Sequence, residues 1–137
     1  MKIKYLPLLI ILSLFLSACS EMNQLSRVDV QILNTDERYD ESVVITDKEQ
    51  VDLLRTAFKQ VEWDMESASE MERPAEVKAT LFFDYDNNMP EKLEEYLIWF
   101  NENESAIIIN PLNKDEYDYG TLNEENSRVI KEVLGYQ

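Results

Sequence analysis

The sequence predicts an α+β domain: a mainly antiparallel sheet of about five to six strands with two helices packed on one face, in the order β-β-α-β-β-β-(β)-α. Three observations carry this. Several short runs alternate apolar and polar residues with the period of a strand. Two longer runs space their apolar residues three and four apart, and each follows a T-x-x-E pattern that can cap a helix. The strand-like runs are joined by short polar turns, which suits antiparallel neighbours.

The elements follow in order. From Arg27, "RVDVQIL" alternates Val28, Val30 and Ile32 and reads as a strand. "ESVVIT" reads as a shorter one, joined to it by the polar stretch "NTDERYDE". Thr46 and Glu49 form the first capping box, and Val51, Leu54, Phe58 and Val61 fall on one helical face with Ala57 beside them. "MESASEMERPAE", rich in charge and serine, reads as a long flexible loop. "EVKATLFFDYD" alternates Val77, Ala79, Leu81, Phe83 and Tyr85. "LEEYLIWFN" sets Tyr96, Ile98 and Phe100 on one side, facing the helices, and Leu97 and Trp99 on the other. "AIIIN" is a further strand, reached through "NENES" and closed by Pro111, and "YDYG" reads as a short edge strand ending at Gly120. Thr121 and Glu124 repeat the capping spacing before the stripe Val129, Ile130, Val133 and Leu134, and Gly135 is placed to stop that helix.

Composition bounds the function. The chain has 137 residues, enough for one domain, and a net charge of −15. That charge repels phosphates, so no nucleic-acid partner is expected. There is no histidine. A Ser-His-Asp or Cys-His centre is therefore excluded within the chain, and the usual zinc and copper sites lose their commonest ligand.

The first residues point to export. Lys2 and Lys4 precede an apolar stretch from Leu6 to Leu16, too short for a permanent bilayer span. Leu16-Ser17-Ala18-Cys19 then resembles the lipobox of bacterial lipoproteins. The resemblance implies a signal peptide over 1–18, cleavage before Cys19, and diacylglycerol and palmitate on that cysteine. It also implies a place on the extracytoplasmic face of the cell membrane. Cys19 is the single cysteine, so no disulfide forms within the chain. Cleavage removes both early lysines and leaves 11 basic and 28 acidic side chains, a side-chain charge of −17. Residues 19–26 are expected as a lipidated N-terminus and short tether, with the domain over 27–137. Ser20 to Ser26 would reach about 23 Å when fully extended.

A second resemblance covers most of the mature chain. Ile45-Thr46-Asp47 opening a helix, Trp63 after it, "YLIWF" at Tyr96 to Phe100 and "YGTL" at Tyr119 to Leu122 are similar to small Gram-positive lipoproteins of unestablished function. It implies a single-membrane host and no activity.

The candidate sites are few. Asp84, Asp86, Asn88 and Glu95 have the ligand spacing of a calcium loop, but Met89 stands where the loop needs glycine and Lys92 faces the would-be metal. A hairpin turn explains the same residues. Asp115, Glu116 and Asp118 offer carboxylates of the kind a hydrolase pairs, in a stretch that also reads as a solvated loop. Leu97 and Trp99 form a candidate contact patch if their face is open to water. The sequence thus favours a non-enzymatic, lipid-anchored module with no cofactor beyond its lipid, acting on an unknown protein or ligand near the membrane. The alternatives are a cation or small-ligand sensor using acidic loops and, more weakly, a carboxylate-based hydrolase. An open Leu97–Trp99 patch would select the first, acidic side chains converging on one pocket the second, and two carboxyls facing across a deep cleft the third.

Overall fold

Each alternating run becomes a strand, and every pairing between strands is antiparallel. The computed structural model describes residues 21–64, 71–86, 88–111 and 118–136. Its elements are a 3-10 turn at Met22–Gln24, β1 (Leu25–Ile32), β2 (Val43–Ile45), α1 (Lys48–Phe58), β3 (Glu62–Asp64), β4 (Val77–Phe83), β5 (Lys92–Phe100), β6 (Ala106–Asn110), β7 (Asp118–Leu122) and α2 (Glu124–Leu134). The seven strands form one sheet in the order β2-β1-β4-β5-β6-β7-β3. The chain starts near one edge, crosses to the other through α1, and fills the space between with a four-strand meander.

One face of the sheet carries both helices. Val51, Leu54 and Phe58 of α1 and Ile130 and Leu134 of α2 are buried against Val28, Leu81, Ile98 and Ile108 in a continuous core. Each such side chain contributes roughly 1.5–3 kcal/mol by leaving water. On the other face a smaller cluster gathers Ala75, Trp99 and Ile109.

Several expectations are corrected. The sheet has seven strands, because β3 (Glu62-Trp63-Asp64) is too short and polar to show a period. β7 is interior, lying between β6 and β3. The folded domain reaches back before Arg27: Leu25 is 2% exposed and pairs with Phe83. The described part of the expected tether, residues 21–26, is therefore 3-10 turn and the start of β1. Both helices are capped later than the T-x-x-E spacing implies. Asp47 caps α1 by accepting from Gln50 N at 3.1 Å, and Asn123 caps α2 by accepting from Asn126 N at 3.0 Å. Thr121 cannot serve as a cap because it pairs with Ile107 and Glu62 in the ladder. Gly135 does stop α2, at φ 74°.

The expected open patch is closed. The segment 71–76 lies over Trp99, which is 5% exposed. Trp99 Nε1 donates to Arg73 O at 2.8 Å, Arg73 Nη2 donates to Phe100 O at 3.0 Å, and Phe100 N donates to Glu76 Oε2 at 2.9 Å. Tyr39 adds a 2.7 Å bond from its hydroxyl to Ala75 O. The part of the long loop expected to be flexible is thus fastened at 71–76; residues 65–70 lie outside the described residues. Trp99 faces away from the helices as its position in the alternation requires, but it is packed there, with Leu97 half-buried beside it.

Candidate functional site

The calcium-loop residues do not assemble. Asp84 and Asp86 are exposed beyond the end of β4, where Met89 N donates to Asp86 O at 3.1 Å in a turn that includes the exposed Asn88. Glu95 lies inside β5, opposite Thr80. That is three residue pairs from the Phe83–Lys92 pair, about 10 Å along the strand. The stretch is a hairpin connection. Among the described residues no three His, Cys, Asp or Glu side chains gather in a way that could hold a metal ion. Cys19, Asp115 and Glu116 lie outside the described residues.

A different set converges. Alternation along β5 turns Glu94 and Tyr96 toward the helix face, and along β7 it turns Asp118 the same way. Asp118 pairs directly with Asn110 on β6. One residue beyond the Leu97–Ile109 pair, Tyr96 falls beside Asn110. Three adjacent strands thus present Tyr96, Asn110 and Asp118 side by side on a face that elsewhere is apolar core. α1 ends at Phe58, which borders this part of the sheet and packs against Tyr96, itself 3% exposed. The result is a cleft of about 430 Å3, bordered by the end of α1, by Val61 and Trp63 at β3, and by Glu21 and Met22 at the N-terminal turn.

The cleft has an aromatic wall and an acidic floor. The Phe58 and Trp63 rings both meet Tyr96 edge-on, with centroids 5.2 and 5.6 Å away. Trp63 is 39% exposed, yet it is seated against its cross-strand partner Gly120. A Cβ at Gly120 would lie 2.9 Å from Trp63 Cε3 and 2.4 Å from Val61 Cγ1, so glycine is what leaves room for both side chains. Burial raises the Glu94 carboxyl above the usual carboxylate range; Glu21 and Asp118 add to the rise and Lys92 opposes it. Burial, followed by the charges of Glu94, Glu21 and Asp118, pushes the Tyr96 hydroxyl up, which keeps it protonated and able to donate. Lys92 is bonded to Glu21 and lies 3.6 Å from Glu94 Oε1. Asp118 Oδ1 is buried with no hydrogen-bond partner among the described residues.

Of these residues the sequence singled out Asp118, among three neighbouring acids, and placed Tyr96 on the helix-facing side of its strand. Glu94 and Asn110 were missed. The available signal was a polar residue at a core-facing position of an otherwise apolar strand.

No family model and no curated protein matches the chain. Among solved structures it is similar to a thioesterase-like protein from Clostridium sporogenes, with a TM-score of 0.54 and 17% identity over 82% of this chain and 96% of that one. At that identity the likeness is one of fold. The molecule shares with it an α+β fold, an antiparallel sheet that carries both helices on one face.

Proposed function

We propose that this chain is a lipid-anchored, ligand-binding domain of the extracytoplasmic membrane face, and that it takes a small organic ligand into the cleft on the inner face of its sheet. The observation that carries the reading is the row of Tyr96, Asn110 and Asp118 beside Glu94 and Trp63, where helix-packed core would otherwise continue. A buried carboxylate oxygen without a hydrogen-bond partner among the described residues, as Asp118 Oδ1 is, costs stability unless something pairs with it. A preformed cleft with apolar walls and a few convergent polar groups is the usual form of a small-molecule site, and about 430 Å3 lies within the range such sites occupy. The protein-contact reading loses its site with the burial of Trp99. Fold likeness to a thioesterase-like protein brings no activity with it, since one fold hosts many functions.

Anchoring supports the same reading. Glu21, on the rim of the cleft, is two residues from Cys19. A lipid on that cysteine would hold the rim within about 7 Å of the attachment point. Cys19→Ser is expected to abolish incorporation of labelled palmitate; continued labelling would contradict the anchor.

A thermal-shift screen of small molecules against the wild-type chain and Trp63→Ala tests the binding reading. Compounds that raise the melting temperature should lose that effect in Trp63→Ala. Stabilisation that survives the substitution throughout would place binding elsewhere.

A further inference from the structure

The cleft's polar groups define what it can accept. Glu21, Glu94 and Asp118 carry its negative charge, and the nearby ammonium groups are already engaged, Lys92 with Glu21 and Lys59 with Asn23. An anion would meet three carboxylates, of which one ammonium, Lys92, offsets Glu21 and Glu94, while no ion pair to Asp118 occurs among the described residues. A neutral ligand would leave the Asp118 carboxylate as it stands, with Oδ1 shut off from water and without a donor among the described residues. An ionised carboxylate in that condition is short of solvation, and a cation entering the cleft beside it offsets the deficit. A hard metal ion needs several oxygens at once, and no such set occurs among the described residues. An organic cation needs only one good carboxylate and an aromatic face, because the negative face of an indole or phenol attracts ammonium groups. Trp63, seated against Gly120, and Tyr96 supply those rings beside Asp118 and Glu94 in the lining of the cleft.

We infer that the ligand is an organic ammonium ion with an apolar body, its cationic head between Asp118 and Glu94 and its body against Trp63 and Tyr96. This rests on the cleft being a ligand site and names the chemistry it selects. The depression of basicity that burial imposes on an amine works against binding, so the site must return it through charge; Glu94 can do this only when ionised. The raised Glu94 carboxyl therefore links ligand uptake to pH, with Glu21, Asp118 and Lys92 the charged groups facing it.

The test uses the full chain in a non-ionic detergent and three probes of one shape: phenethylammonium, phenethyl alcohol and hydrocinnamate, titrated by calorimetry. The inference expects phenethylammonium to bind at least about tenfold more tightly than the alcohol, with hydrocinnamate weakest. Asp118→Asn should erase the preference while the melting curve shows a folded chain, and Glu94→Gln should weaken it. Alcohol binding as tight as ammonium binding would overturn the cationic class and leave the cleft reading standing. An ammonium preference untouched by both Asp118→Asn and Glu94→Gln would also overturn it, since binding would then lie elsewhere. Failure of all three probes to bind would remove the cleft reading as well. Adding phosphatidylethanolamine to the micelles separates two sources of the same chemistry: displaced probe assigns the cation to a lipid headgroup, and undisturbed binding assigns it to a soluble amine.

Discussion

Gly120 shows how one residue can shape a site it does not touch chemically. Its missing side chain is the space in which Val61 and Trp63 sit. Gly120→Ala must push the indole or the β3 backbone away. A destabilisation of about 1–3 kcal/mol is expected, as for other overpacked positions, together with a changed tryptophan emission spectrum; an unchanged melting curve would show that β3 yields freely. Ser127 poses the opposite case. It is fully buried on α2, and its hydroxyl has no partner among the described residues. Ser127→Ala should be neutral or stabilising by up to about 1 kcal/mol, since an unsatisfied buried group is removed and little volume is lost. A clear loss in a denaturant melt would mean the hydroxyl is bonded in solution. Glu94 supplies the pH prediction. Its folded pKa is raised, so its contribution to stability is fully present below the unfolded value of about 4.3 and is lost as pH rises through the folded value. Glu94→Gln should therefore melt higher than wild type at neutral pH, with the gap closing as the pH falls toward 4. A constant gap would mean the ionised carboxylate is not strained.

At the scale of elements, the strap over the outer face decides how Trp99 is understood. Trp99→Ala removes a large buried ring and the bond to Arg73 O, so a loss of about 3–5 kcal/mol is expected, with the 71–76 segment becoming open to proteolysis. A small loss would return Trp99 to the status of a surface group. The same elements show what the sequence could reveal. β1, β4, β5 and β6 announce themselves because alternation is a local property, and the two helices because their apolar spacing is. β3 does not, since three residues with one apolar side chain have no period; it is a strand because Trp63 finds Gly120 some sixty residues away. The caps fall at Asp47 and Asn123 because those Asx side chains reach the free amides, while Thr121 stays in the β7 ladder. The face of Trp99 was legible from alternation, but what lay on it was not, because "MERPAE" carries no pattern that names its partner.

The cleft belongs to the whole molecule. Glu94, Asn110 and Asp118 lie on three strands, and their alignment depends on the register of two hairpins. No local stretch encodes it, and the one motif that looked like a site, Asp84 to Glu95, is a turn whose last member lies well inside β5. The fold places both acid and aromatic groups at the end of helix α1, beside an N-terminal turn close in sequence to the expected lipid. The two tryptophans make this arrangement directly testable. Trp63 stands in the cleft, while Trp99 is buried on the opposite face with its indole N–H bonded to Arg73 O. Their two indole N–H resonances in a nitrogen-proton correlation spectrum should respond differently when the three phenyl probes are added to the full chain. A saturable shift of the Trp63 resonance by at least one probe, with Trp99 unmoved, would establish the cleft as the ligand site. A Trp63 resonance indifferent to every probe, or one that moves only together with Trp99, would contradict it.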